Sequence, residues 1–381
     1  MMKKTRGSGL GGFAASVLPS LIAIIVGLLF GFIILLISNP AQAVQGLKVI
    51  LLGGFNDGLF GVGQTLYYAT PLILTGLSVG FAFKTGLFNI GASGQLITGA
   101  FAAIWTAVNC DWLPGPLHWI VPILAAILVG GLWGAVPGLF KSLLGVNEVI
   151  ACIMMNYIGM YGVNYLIKIS NIYDKLKNQT VSVPSSAALP NGGLEHLFYK
   201  MRGNFVRFSS INIGFYIAVI AAVVIYVLLT KTTFGYELKA CGYNRDASRF
   251  AGINEKRSVL MSMVIAGMLS GAAGAVMYLA KSDGLHIDVI EVLATQGFNG
   301  IPVALLGLSN PIGIVFSGIF IAHLNQGGYY LQKLNYMPEI IDIIIGAIIY
   351  FAAFSLIVRN VIAALARRRE AKAVQGKGNE R

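Results

Sequence analysis

Ten apolar stretches dominate this sequence, at 14–37, 62–83, 90–108, 119–140, 147–168, 211–230, 259–280, 290–308, 311–331 and 339–358. Most have the roughly 20 residues that a helix needs to cross about 30 Å of hydrocarbon. Only 11% of the 381 residues are charged and 56% are hydrophobic, with a mean hydropathy of +0.75. A soluble domain does not hide that much apolar surface. The expected fold is therefore all-α, a polytopic integral membrane protein of about ten transmembrane helices. The eighth stretch is the least regular, because Glu291, Gln296, Asn299 and Pro302 interrupt it.

The net charge of +12 does not point to nucleic acid, since the basic residues flank apolar runs instead of mixing with aromatics on a polar surface. Of the 27 lysines and arginines, 18 fall on the side of the N-terminus. These are Lys3, Lys4, Arg6, Lys84, Lys141, six within 231–257 and seven from Arg359 onward. Nine fall opposite, six of them in 168–210, a long segment whose charge weighs less in orientation. Both termini are thus expected in the cytoplasm. A membrane domain spans 1–358, with its main external loop at 169–210. A basic tail follows at 359–381, where Arg367-Arg-Arg369 faces anionic lipid. Near the start, Ala41-Gln-Ala43 resembles a cleavage site, but the run from Phe13 to Ile37 is too long for a secretory signal and reads as an uncleaved helix.

Several chemistries find no support. Cys110, Cys152 and Cys241 lie in separate regions without a pairing logic, and His118, His196, His286 and His323 lack metal-ligand spacing. No Gly-x4-Gly-Lys-Ser/Thr loop occurs, so any ATP is hydrolysed on another subunit. No nucleophile, acid–base pair or metal cluster converges on an enzyme site.

The polar segment 231–257 has more internal order than a plain loop. Asn244 can cap a short helix from Arg245 to Ala251, Gly252 can end it in a left-handed turn, and Asn254 can cap the next helix with Glu255 in its first turn. Such a helix, clamped between two spans, suits a lever for a cytoplasmic partner. The plainer alternative is a basic loop that only sets orientation.

A second break in the pattern is Thr85-Gly-Leu-Phe-Asn-Ile-Gly-Ala-Ser-Gly-Gln-Leu96. Glycines at 86, 91 and 94 interrupt the apolar run where Asn89 can cap a new helix. Irregular backbone survives in a membrane only when buried in protein or lining a cavity, and such breaks point to transport paths. Gln296-Gly-Phe-Asn-Gly-Ile-Pro302 repeats the Phe-Asn pair 210 residues later, which is compatible with duplicated halves. Asn89, Gln95, Asn156 and Asn299 are the candidate pathway residues. For Asn156, as for Asn325 and Gln326, a bond to a neighbouring helix is an equal alternative. Amides instead of acids suit a neutral, hydrogen-bonding solute such as a nucleoside or sugar. Small residues at Gly130, Gly134, Gly138 and at Gly267, Gly271, Gly274 suit close helix packing.

Four ordered segments carry a family likeness: Gly86–Gln95, Asn147-Glu-Val-Ile-Ala-Cys-Ile-Met-Met-Asn-Tyr157, Glu237–Asn244 continuing through Ala251-Gly-Ile253, and Gly297-Phe-Asn-Gly-Ile-Pro-Val-Ala-Leu-Leu-Gly307. They resemble bacterial ABC importer permeases of the ribose, branched-chain amino acid and nucleoside group, most closely the nucleoside branch linked to basic membrane lipoproteins. The resemblance covers roughly 60–355. It implies a multi-pass permease of the bacterial plasma (inner) membrane that carries nucleosides inward. Its implied partners are ABC ATPase subunits that hold ATP-Mg, a second permease, an extracytoplasmic substrate-binding lipoprotein and the lipid bilayer, with no cofactor or metal in this chain. It makes 231–257 a coupling segment, with Glu237, Gly242, Asn244, Ala247, Phe250, Ala251 and Gly252 at the ATPase contact. One departure stands out: Ser93 occupies a position where this branch typically has an acid. A simple-sugar or branched-chain amino-acid permease is the alternative within the class, and an ion-coupled secondary carrier the alternative outside it.

Overall fold

The computed structural model describes residues 9–202, 205–280, 286–337 and 339–353. Fourteen helices are present among them. The first six are α1 Gly9–Ser38, α2 Ala43–Leu52, α3 Gly58–Lys84, α4 Ala92–Asn109, α5 Gly115–Leu144 and α6 Glu148–Ile169. Then follow α7 Gly214–Lys231, α8 Thr233–Tyr243, α9 Arg245–Phe250, α10 Glu255–Tyr278, α11 Thr295–Phe298, α12 Gly300–Leu306, α13 Pro311–Leu331 and α14 Glu339–Ala353. The strands form two antiparallel hairpins, Tyr173–Asp174 with Gln179–Thr180 and Tyr199–Arg202 with Phe205–Phe208. The basic residues Lys3, Lys4 and Arg6 and the tail 359–381 lie outside the described residues.

Five helical segments among the described residues are long and apolar enough to cross a membrane: Pro40–Lys84, Gly115–Leu144, Glu148–Ile169, Gly214–Lys231 and Glu255–Tyr278. A sixth results if the pair Thr295–Leu306 and Pro311–Leu334, bent by 120°, is one broken span. The eighth apolar stretch is thus not a continuous crossing. Its first residues are irregular, α11 and α12 together rise only about 18 Å, and the chain turns back before Pro311. The polar residues there, and Gly307 packed against the backbone of Gly313 and Ile314, leave no room for a straight helix.

Contacts divide the chain into two compact units, one of residues up to Leu51 with those from Gly327, the other of Leu52–Gln326. In the first, α1 packs on α14, and the Tyr336 hydroxyl donates to the Asn39 carbonyl at 2.9 Å. The second is built around α10, which packs on α5, α4 and α3.

The seam between α5 and α10 is made of missing side chains. A Cβ at Gly130 would lie 2.7 Å from Gly271 Cα, and one at Gly138 3.0 Å from Met263 Cβ. Gly274 turns instead to α4, where a Cβ would meet Ala100 N at 2.9 Å. Lipid gives apolar helices no hydrophobic reason to associate, so backbone-to-backbone packing has to supply the attraction. Gly130→Leu is therefore expected to destabilise the fold by roughly 1–3 kcal/mol or more, read as a lower thermal midpoint in detergent. Gly115→Ala, where a Cβ meets open space, is the neutral control.

Candidate functional site

A cavity of about 390 Å³ opens inside the larger unit, within the range typical of small-molecule sites. Its wall carries Tyr67 and Tyr68 from α3, Tyr278 from the end of α10, Gln296 and Asn299 from the broken segment, and Asn325 from α13. The Tyr67 and Tyr68 rings meet edge to face, 5.1 Å apart. Asn299 precedes α12 without capping it and is exposed to the cavity. At the wall, His286 Nε2 is 3.6 Å from Asp288 Oδ1. Aromatic faces beside primary amides, each amide both donor and acceptor, suit a planar, neutral, polar solute.

Of the four candidate pathway amides, only Asn299 lines this cavity. Asn89, Gln95 and Asn156 are brought together elsewhere, in a closed polar knot. Asn89 is 0% exposed; its Nδ2 donates to Ser78 Oγ (3.0 Å) and Gln95 Oε1 (2.9 Å), and Gln95 Nε2 donates back to Asn89 Oδ1 (3.1 Å). Ser78 donates to the Ala266 carbonyl at 2.7 Å and accepts from Ser270 at 2.9 Å, tying α3 to α10. Asn156, 1% exposed, accepts from Gly94 N at 2.8 Å and donates to the Ile90 carbonyl at 2.9 Å.

The cap expected at Asn89 is not made. Gly91 occupies the N-cap position of α4 without a side-chain bond, and Asn89 Oδ1 accepts locally from Gly91 N at 3.2 Å. A free amide of the first turn is taken instead by Asn156, reaching across from α6. The knot also extends toward the cavity. Ser93, fully buried, donates to the Ala294 carbonyl at 2.9 Å, and a Cβ at Gly297 would lie 2.5 Å from Ser93 N. A hydroxyl can donate to that carbonyl where an ionised carboxylate cannot, which fits serine to this place.

The segment 231–257 forms three helices. Thr232 caps α8 by accepting from Gly235 N, Asn244 caps α9 through Ala247 N, and Asn254 caps α10 through Arg257 N, each at 3.0 Å. Gly252 ends α9 with φ +82. Leu238, Cys241 and Ser248 are buried anchors, whereas Ala247, Phe250 and Ala251 are exposed, Phe250 at 95% and the nearby Tyr243 at 91%. Glu237 is half-buried. Gly242 holds α8 against the α3–α4 break: a Cβ there would lie 2.8 Å from Thr85 C. Thr85 is in turn hydrogen-bonded to Ser262 of α10.

Sequence reasoning did not single out Tyr67 and Tyr68. Their signal was two adjacent tyrosines inside an apolar run, just before Pro71.

Long apolar helices, an interrupted segment beside a polar cavity and an ordered polar segment between two spans define an integral membrane transport subunit. The profile of the branched-chain amino acid transport system / permease component family matches residues 61–353, and the chain belongs to this family. The guanosine ABC transporter permease protein NupP of Bacillus subtilis is 37% identical over 92% of this chain and 97% of its own length. The nucleoside ABC transporter permease protein NupB of Lactococcus lactis is 35% identical over 96% and 98%. The glucose ABC transporter permease protein TsgB13 of Haloferax volcanii is 32% identical over 77% and 76%. No solved structure matches.

Because Asn156 satisfies two buried backbone groups, Asn156→Ala should cost roughly 1–3 kcal/mol of stability. The expected readout is a lower thermal midpoint in detergent, with the inserted protein otherwise intact.

Proposed function

We propose that this chain is the permease subunit of an ATP-driven importer that carries nucleosides into the cytoplasm across the bacterial plasma (inner) membrane. The observation that supports this reading most is the cavity, where the Tyr67–Tyr68 pair offers aromatic faces to a base while Gln296, Asn299 and Asn325 offer amides to its edge or to a ribose. The two relatives matched over nearly their full length are a guanosine and a nucleoside permease, which favours a nucleoside over a sugar.

In this scheme ATP-Mg is bound and hydrolysed on separate ATPase subunits, and the permease itself performs no chemistry. A second permease completes the pathway, and an extracytoplasmic lipoprotein delivers cargo. The ATPase engages the exposed face of Ala247, Phe250 and Ala251. Asn244 and Gly252 fix the ends of that short helix, and Glu237 and Gly242 belong to α8, which leads into it. Gly242 rests on Thr85–Gly86, so displacement of α8 moves the start of the break. The Asn89–Gln95 pair and Ser93 then pass that displacement to the segment carrying Gln296 and Asn299. Coupling through such contiguous contacts needs no direct touch between ATPase and cargo.

Reconstitution and targeted substitution test this. Co-reconstituted with its ATPases and second permease, the chain should support ATP-dependent guanosine accumulation, and Ala251→Arg should abolish ATPase co-purification while the protein stays inserted. Normal co-purification of that variant would remove the docking assignment, and accumulation by this chain alone would overturn ATP drive. Asn299→Ala should raise the KM for guanosine roughly tenfold, the equivalent of about 1.4 kcal/mol, with ATPase docking unchanged. Competition by glucose but not by nucleosides would reassign the cargo.

A further inference from the structure

A second hollow, also of about 390 Å³, lies between α4, α5 and α6 and shares no wall residue with the solute cavity. Phe101 and Trp105 of α4, Val129 and Trp133 of α5, and Gly162 and Leu166 of α6 line it. Its lining runs from Thr98 to Thr106, from Ala125 to Trp133 and from Gly159 to Leu166, about 12 Å of helix rise on each wall. It is therefore a slot lying along the helices.

The slot's width argues for one kind of occupant. Counting all of its empty space, about 830 Å³, the hollow has a cross-section of about 70 Å² over that length, whereas a helix with its side chains, about 10–12 Å across, needs about 80–110 Å². A whole neighbouring helix does not fit, but a hydrocarbon chain does. Two further observations agree. A Cβ at Gly162 would meet nothing within 4 Å, so a side chain placed there would project into the hollow. Trp133 spends its Nε1–H on the Met155 carbonyl at 3.2 Å, which leaves its ring to apolar contact. In a bilayer, an apolar space open to lipid gains dispersion contacts only when tails fill it. Trp105, 45% exposed, stands at the opening.

One end of the slot is polar. The face of α4 that lines it, at 98, 101, 102, 105 and 106, continues one turn later to Asn109. Asn109 Nδ2 donates to the Trp105 carbonyl at 2.8 Å, and its Oδ1 accepts from Asn171 Nδ2 at 2.6 Å. This exposed amide pair can hydrogen-bond the ester region of a lipid whose tail lies in the slot.

We propose that one acyl chain of a phospholipid occupies the hollow between α4, α5 and α6, with its glycerol ester region at Asn109 and Asn171. The chain serves as a fourth packing element for these helices.

The test uses the full chain with Trp133 as its single tryptophan (Trp105→Phe, Trp112→Phe, Trp119→Phe) in nanodiscs of phosphatidylglycerol, with or without bromine at mid-chain. Bromine should quench Trp133 strongly, and Gly162→Leu, which fills the slot, should restore the emission. Native mass spectrometry of the detergent-purified chain should show one retained phosphatidylglycerol. Gly162→Leu should weaken that retention roughly tenfold, about 1.4 kcal/mol. Val129→Phe is the second filling variant, in case the first inserts poorly. Equal emission in both lipids would mean that no tail reaches the slot and would overturn the proposal. Equal quenching in the filled variants would assign it to surrounding lipid and overturn the proposal as well.

Discussion

A backbone N–H inside a bilayer has no water to fall back on, and each one left unpaired costs several kcal/mol. The break between α3 and α4 creates such groups beside the buried side chains of Asn89, Ser93 and Gln95, and the surrounding structure is organised around satisfying them. Asn156 reaches from α6 to serve Gly94 N and the Ile90 carbonyl at once. Asn89 and Gln95 pair reciprocally, and Ser78 and Ser270 carry the connection into α10. Each of these side chains has its partners within the protein, so the knot is rigid. Rigidity is what an irregular stretch needs if it is to pass on displacement instead of absorbing it.

The glycines extend the same logic. Where Gly130 meets Gly271, and where Gly86 meets Gly242, backbone lies on backbone with no rotatable group between. Side chains hop among rotamers and would soften such a contact. Bare backbone in close approach transmits motion directly, and it also brings the peptide dipoles near enough for weak Cα–H···O contacts. The seam between α5 and α10 and the seat of α8 against Thr85–Gly86 are thus the same packing device used twice.

The sequence was most legible where the deciding interaction is local. Asn244, Gly252 and Asn254 cap and stop their helices as their spacing implies, because each bond reaches only a few residues. Helix α8 was not anticipated: its two glycines and mixed charge hide it, and burial of Leu238 and Cys241 against other elements stabilises it. Asn89 was misread as a cap for a related reason. The local option was real, but a tertiary one, Asn156 from 62 residues away, serves the first turn of α4. The eighth stretch looked like a span because hydropathy averages over the polar residues that bend it. The Tyr67–Tyr68 pair before Pro71 was a weak signal, because an aromatic inside an apolar helix can line a cavity wall or a packed core alike.

Distance constrains how the two candidate functional regions can communicate. Tyr68 precedes Lys84 by 16 residues of α3, about 24 Å of helix, too far for any charge at the inner segment to be felt through contact. The proposed coupling would at that range be mechanical, and α3 is a poor carrier for it, because Pro71 lacks the N–H that would bond back to Tyr67 and so weakens the helix at the cavity wall. The parallel route through Ser93 and Gly297 reaches the cavity from the other side, at the short helices α11 and α12. A helix of four residues followed by one of seven has little internal cohesion of its own. Its position is set by what it rests on, namely Ser93 and Thr75. A shift at the start of α4, where Ser93 sits, would therefore be passed to the segment carrying Gln296 and Asn299. That is how a stiff bundle can alter the affinity of a cavity without opening itself to lipid.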